Sequence, residues 1–214
     1  MGLFDSIKNA LGSSIKSEAR RTIHNAVDTA ADKAQDAAVN AVKNIGKGGN
    51  SSKTFKFEKL PVTVEDLKAY PEASLDSAFK TTALAIVALT RYEQDPQAVY
   101  AMFDFLKGPD DTNKHEQQFF EERLKGKAYK IMSFFEGATP ENDYKPKEPY
   151  KITVYENPYS FDEENWATMY VKSGGADNPR PVKLRKKPST GQWFITEMQC
   201  LEDIRTPKSD DPWA

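Results

Sequence analysis

The hydrophobic positions of this chain follow two different periods. Residues 2–45 have no proline, many alanines and an apolar residue at every third or fourth position, which is typical of an amphipathic helix. Between residues 150 and 198, apolar and polar residues instead alternate in four short segments, which indicates β-strands joined by turns. Strands joined in this way pair antiparallel. Helices followed by strands predict the α+β fold class rather than an alternating α/β fold.

The helical arm, residues 2–45, changes its apolar side near residues 12–14. At about 100° per residue, the apolar side chains up to Ile15 share one face, whereas those from Ala19 onward lie nearly opposite. Gly12 lowers helix propensity, and the serines that follow it can cap a new helix. We therefore predict a short helix over residues 2–11 and a longer helix over about residues 14–45.

A glycine- and serine-rich segment, GKGGNSSK at residues 46–53, has the composition of a flexible linker. The 13 prolines all lie C-terminal to this segment. Every aromatic residue except Phe4, including the three tryptophans, does so too. Because large aromatic residues mark a packed core, we expect the core to begin near Phe55. The sequence thus predicts an amphipathic arm over residues 1–45, a linker over 46–53 and a globular α+β domain over 54–214.

The globular part has helix and strand signals with recognisable ends. A first strand is predicted over residues 54–60, and four more over residues 150–156, 166–172, 181–187 and 192–198. The predicted helix starts are Thr63, Ser74, Asp95 with Pro96, and Thr112, and the predicted ends are about Tyr92, Gly108 and Gly126. These elements predict a helical layer packed on an antiparallel meander sheet.

Composition is that of a water-soluble chain, with 38% hydrophobic and 29% charged residues and a mean hydropathy of −0.70. The longest apolar run, residues 83–89, is far shorter than the ~18–20 residues of a membrane-spanning helix, so we expect a buried core helix there. Residues 1–12 lack the basic and apolar regions of a secretory signal. We expect a cytoplasmic protein that can meet the inner face of the membrane.

Charge is distributed unevenly along the chain. Up to Lys53 there are eight Lys and Arg against five Asp and Glu, whereas the remainder is acidic and the net charge is −2. A weakly basic arm on an acidic body suits an anionic surface better than nucleic acid. We expect no nucleic-acid partner.

Residues with catalytic or metal-binding chemistry are sparse. His24 lies in the arm, and the segment HEQQF at His115 lacks the second histidine of a zinc-protease helix. The lone Cys200 excludes an intrachain disulfide and is expected to be a small core residue. We predict no catalytic residue, no metal and no cofactor, and an enzyme of unknown reaction stays only as a third alternative.

One strand carries a row of cations, in the segment NPRPVKLRKK. Lys183, Arg185 and Lys187 share one face of the predicted strand, and Arg180 lies just upstream. Such a row can receive an anionic group or an acidic partner. The alternative is a solvated outer face with glutamates on the neighbouring strand.

Five segments are distinctive: EGATPENDY, PYKITVYENPYS, SGGADNPRPVKLRKK, QWFITE and DIRTPKSDDPWA. They resemble an uncharacterised bacterial, Firmicutes-type family defined as a domain of unknown function, and the likeness covers most of residues 55–214. This resemblance implies one compact domain and no known activity. Separately, residues 2–8, GLFDSIK, are similar to the start of aurein- and citropin-type membrane-active peptides.

The arm therefore carries the functional prediction. The residues expected to contact a membrane or a partner are Leu3, Phe4, Ile7, Lys8, Leu11, Ile15 and Lys16. In the first hypothesis these residues anchor a non-enzymatic interaction domain reversibly at an anionic membrane. In the second, residues 2–45 are an oligomerisation or docking element of a protein assembly, with a homo-oligomer as its simplest form.

Overall fold

The computed structural model describes residues 50–213 of the chain. The predicted arm, with its break at residues 12–14 and its seven contact residues, lies outside the described residues. Within the described part, helices and an antiparallel sheet occur together, which confirms the α+β class. None of the helices there has the length and apolar character needed to cross a membrane.

Five α-helices and five strands form the described part. The helices are α1 (Val64–Lys68), α2 (Ala78–Leu89), α3 (Pro96–Lys107), α4 (Lys114–Leu124) and α5 (Tyr129–Met132). The strands are β1 (Ser52–Phe57), β2 (Tyr150–Tyr155), β3 (Trp166–Val171), β4 (Arg180–Lys187) and β5 (Gln192–Glu197). All neighbours are antiparallel in the order β1-β2-β3-β4-β5, so the four late strands form the predicted meander and β1 adds at its edge.

Local capping chemistry explains where several helices begin and end. Thr63 caps α1 in a reciprocal capping box with Asp66, as its position before the helix predicts. Asp95 accepts a hydrogen bond from the Ala98 N–H of α3 at 3.0 Å, and Gly108 ends that helix at a positive φ of 71°. These predicted boundaries are confirmed.

Four predicted boundaries are wrong by a few residues. The core helix starts after Ser77 rather than Ser74, because Pro71–Ser74 form a separate 3-10 turn and Leu75 adopts a left-handed φ of 54°. It also ends at Leu89, before the predicted Tyr92. The cap of α4 is Asn113 rather than Thr112, since the Asn113 side chain completes a capping box with Glu116. Strand β1 begins at Ser52, two residues earlier than expected.

Helix α2 is the centre of the core. Eleven of its twelve residues are buried, and it packs on strands β1, β2, β3 and β5. A helix surrounded by protein is apolar on all sides, which accounts for the uniform apolar run in the sequence. Its two buried threonines are satisfied, since Thr82 bonds the Ala78 carbonyl and Thr81 bonds the Trp193 carbonyl of β5.

The sheet has one buried and one partly exposed face. Residues such as Ile152, Met169 and Leu184 alternate along their strands and are fully buried on the side of the helices. The intervening residues form the opposite side, called the outer face below. An antiparallel sheet with helices on one side leaves such a face available to other molecules.

The segment after β5 is tied back onto the domain. The Tyr144 hydroxyl donates to the Arg205 carbonyl at 2.7 Å, and Arg205 N–H donates to the Gly175 carbonyl at 3.0 Å. Gly175 must lack a side chain, because a Cβ there would clash with the Tyr144 hydroxyl. The distinctive SGG and DIRTPKS segments are therefore parts of one packed junction.

Candidate functional site

The four cations predicted as one anion-binding surface lie in two places. Lys183, Arg185 and Lys187 alternate with buried positions of β4 and share the outer face. Arg180 has the opposite parity, and its side chain is only 19% exposed. The strand period brings the first three together, and it separates the fourth from them.

The three outer-face cations differ in how their charge is balanced. Lys183 forms an ion pair of 3.1 Å with Glu197 on the neighbouring strand, as the solvated-face alternative predicts. Arg185 instead lies over the ring of Trp166, with 5.2 Å between the guanidinium carbon and the ring centroid. Lys187 is exposed. Only Lys183 among them is neutralised by a carboxylate in the described part of the chain.

Aromatic rings accompany the cations on the outer face. Tyr155 of β2 pairs directly with Tyr170 of β3, and Lys172 lies 4.6 Å from the centroid of the Tyr155 ring. Trp166 is opposite Arg185 in the next pair of strands. We call this set the aromatic–basic face; its members are Tyr155, Trp166, Tyr170, Lys172, Arg185 and Lys187. The alternating outward positions of these strands are the sequence signal for this face, but strand register decides which of them become neighbours.

A cleft of about 640 Å³ lies beside the sheet, between helices α3 and α4 and the end of β5. Its apolar walls come from both sides: Phe103, Phe119, Phe120, Ile195 and Met198. Phe103 and Phe120 meet edge to face with 4.9 Å between ring centroids, so α3 and α4 are fixed against each other. Its volume falls within the ~300–1,000 Å³ typical of small-molecule sites.

A buried ion pair holds the helical side of the cleft. The Lys107 ammonium at the end of α3 contacts the Glu116 carboxylate near the start of α4, and the Lys107 side chain is only 7% exposed. Lys107 also donates to the Asp111 carbonyl, while Glu116 accepts from the Asn113 N–H. The pair thus joins the end of one helix to the cap of the next.

Arg180 and Thr196 supply hydrogen-bond donors on the sheet side of the cleft. Arg180 donates to the Asp203 carbonyl at 2.7 Å, and its distance to the Asp203 carboxylate is 4.0 Å, the limit of an ion pair. The buried Arg180 Nε and the buried Thr196 Oγ1 have no hydrogen-bond partner in the described part of the chain. Such donors are costly to leave unpaired, so they favour a hydrogen-bond acceptor here. Sequence reasoning missed this cleft, because its residues come from distant segments.

Lys130 and Cys200 are buried titratable groups with perturbed pKa values. The pKa of Lys130 is lowered, chiefly because burial takes the ammonium out of water and further because Lys127 and Arg123 are near. Burial raises the pKa of the Cys200 thiol to about 12, so the thiolate required of a nucleophile is absent at neutral pH. Cys200 is fully buried, as expected for a core residue.

The described residues offer little metal-binding chemistry. His115 is exposed at the edge of the cleft. Within residues 50–213, no group of three His, Cys, Asp or Glu side chains is placed to hold a metal ion. His115 therefore enters the site only as a polar residue at its rim.

A family model described as a domain of unknown function (DUF6935) matches residues 59–208. The matched segment contains all five helices, strands β2–β5, the aromatic–basic face and the cleft. Neither the curated proteins nor the solved structures gave a match. The resemblance to an uncharacterised domain family is confirmed, while the bacterial source and the likeness of residues 2–8 to membrane-active peptides stay predictions.

Proposed function

The chain belongs to this family of unknown function, and we propose that it is a non-enzymatic peripheral membrane-associated protein. Its N-terminal amphipathic helix acts as a reversible anchor that holds the globular interaction domain at an anionic membrane. The observation that carries this proposal is the sequence pattern of residues 3–16, with large apolar residues on one side and lysines beside them. The inner face of the cytoplasmic membrane is the surface we infer.

The energetics of this anchor favour weak and reversible binding. Leu3, Phe4, Ile7 and Leu11 can each contribute ~1.5–3 kcal/mol when fully removed from water. Ordering the helix and losing the free motion of the domain consume part of this gain. Lys8 and Lys16 add attraction to anionic headgroups of about 1 kcal/mol each.

The aromatic–basic face supports the same proposal. Tryptophan and tyrosine favour the headgroup region, because their rings are apolar and their edges are polar. Lys172, Arg185 and Lys187 add positive charge on the same face, where anionic lipids attract it. Two weak contacts on one chain bind more tightly than either alone, since the first raises the local concentration of the second.

Oligomerisation is the second candidate function. The longer predicted helix has an alanine-rich stripe. Alanine side chains have little apolar area to bury, so such a helix is marginal on its own in water, but they let two helices approach closely. In this hypothesis residues 2–45 dock on a second copy or on another subunit, and lipid plays no part. Lipid composition distinguishes the two, because a protein docking site is indifferent to it.

Co-sedimentation with vesicles tests the anchor. The full chain is mixed with vesicles of phosphatidylcholine alone or with added phosphatidylglycerol. We expect binding to the anionic vesicles, and a loss of at least tenfold for Phe4→Glu with Ile7→Glu, which removes two anchoring side chains. The matched control, Ser6→Glu with Asn9→Glu, adds the same charge on the polar side of the helix and should retain clearly more binding. Equal losses in both variants, or no binding by the full chain, would refute the anchor.

A second measurement tests the aromatic–basic face. Glu197→Gln removes the carboxylate that neutralises Lys183 and should strengthen binding to anionic vesicles by up to about fivefold, equivalent to ~1 kcal/mol for one cation. Asp110→Asn is the control, because it changes the net charge equally in the exposed α3–α4 loop. An equal gain from both variants would mean that only net charge matters.

A further inference from the structure

The cleft between α3, α4 and β5 has the features of a binding site for a small amphipathic molecule. It is large enough for a ligand of about one or two rings, and its apolar residues lie on both sides. Phe119 and Met198 are examples from opposite walls, one on a helix and the other directly after a strand. The body of the ligand is therefore apolar.

The charges around the cleft identify the polar end of that ligand. Three of its carboxylates already have a cation: Glu116 has Lys107, Glu197 has Lys183, and Glu202 has Arg123 at 2.9 Å. Arg180 differs from these cations, because the only carboxylate near it in the described part of the chain is 4.0 Å away and belongs to an exposed side chain. An anion is thus favoured at Arg180 rather than elsewhere in the cleft.

Hydrogen bonding points to the same place. Arg180 Nε and Thr196 Oγ1 are both buried without a partner in the described residues, and both residues line the cleft. An N–H and an O–H with no acceptor call for a group with two acceptor oxygens. A carboxylate in the cleft pairs its charge with the Arg180 guanidinium, and it offers acceptor oxygens to two lining residues whose donors lack them.

We propose that this cleft binds a small organic acid, with an aromatic or branched aliphatic body between Phe119 and Met198 and its carboxylate at Arg180 and Thr196. The site does not depend on the arm. Its failure would leave membrane association untouched, and the failure of membrane association would leave the site untouched.

The test uses 1-naphthoate as the acid and 1-naphthalenemethanol as its neutral counterpart, each titrated into the ¹⁵N-labelled full chain. We expect naphthoate to bind with a Kd of about 1 mM or tighter, the affinity of a ligand of this size. The amide signals of residues 115–120 and 195–199 should shift, while those of residues 151–155 on another part of the sheet should not. The neutral counterpart should bind about tenfold more weakly, because it lacks the charged acceptor.

Two variants follow on the same protein. Arg180→Met should weaken naphthoate binding about tenfold while leaving 1-naphthalenemethanol unchanged. Lys187→Met, on the same strand but on the outer face, should bind naphthoate as the wild type does. Because Arg180 also bonds the Asp203 carbonyl, the amide spectrum of each variant is compared first, and the wild-type titration decides the question if Arg180→Met fails to fold. Shifts that map outside the cleft, equal binding of acid and alcohol, or no binding of either would overturn the proposal.

Discussion

Glu116→Gln should destabilise the domain more than Lys107→Met, although the two residues form one ion pair. The reason is the unequal burial of the partners, since the Lys107 side chain is 7% exposed and that of Glu116 is 26% exposed. Each variant leaves the other charge without its partner. The more deeply buried charge is the more costly one to leave.

The expected sizes follow from what each remaining charge still contacts. After Glu116→Gln, the buried ammonium loses its counter-charge and keeps only neutral acceptors such as the Asp111 carbonyl, so we expect a loss of about 3 kcal/mol. Glutamine still serves in the capping box with Asn113, so the loss reports the charge. After Lys107→Met, the carboxylate keeps the Asn113 N–H and partial access to water, so we expect about 1–2 kcal/mol.

Guanidinium unfolding at neutral pH, followed by far-UV circular dichroism, gives these free energies of unfolding. The double variant should lose about 1–3 kcal/mol less than the sum of the single variants, because it leaves no unpaired charge. The control is the exposed Glu121–Lys125 pair on the same helix, where Glu121→Gln should be hard to distinguish from the wild type. Equal losses for the two single variants, a reversed order, or simple additivity would refute the argument from burial.

Further outcomes are expected at three residues of the same domain. Tyr144→Phe should lower the free energy of unfolding by about 1 kcal/mol, because the hydroxyl that donates to the Arg205 carbonyl is lost. Asp95→Ala should cost about 1 kcal/mol by the same assay, because the Ala98 N–H loses its cap. Cys200 should react with Ellman's reagent at pH 8 only after unfolding. Burial raises the pKa of the Cys200 thiol from 9.0 to about 12. The stability that the buried thiol contributes is therefore present below pH 9 and falls as the pH rises toward 12. Unfolding curves at several pH values check this.

Boundaries that depend on local chemistry were predictable from the sequence. Asp95 before Pro96, and Gly108 after α3, act through groups within one turn of the helix, so their spacing was enough. Ser74 failed as a helix start, because Leu75 takes a left-handed conformation that its side chain does not favour. That conformation is stabilised by tertiary contacts, including the Leu75 carbonyl with the Trp193 N–H of β5, which no local pattern reveals.

The candidate sites were predictable only where strand alternation was sufficient. The two-residue period of a strand correctly predicted that Lys183, Arg185 and Lys187 share one face. It could not predict which residues of the neighbouring strands lie next to them. The pairing of Arg185 with Trp166 depends on strand register. The presence of Arg180 and Thr196 in one site depends on a cleft formed by residues far apart in sequence. Register and long-range packing are outcomes of the whole fold, so a single sequence left them undetermined.

Strand parity divides the predicted row of cations into two separable hypotheses about anions. Side chains of opposite parity lie on opposite sides of a sheet, so Arg180 and Arg185 cannot serve the same bound group. Arg185 lies over a neutral ring, so its positive charge is available to an extended anionic surface. Salt screens this attraction over ~8 Å at physiological ionic strength. Arg180 is mostly buried, where screening is weaker and donors need acceptors. A change at Arg185 should therefore alter vesicle binding with strong salt dependence, and a change at Arg180 should alter the recognition of a small acid but not vesicle binding.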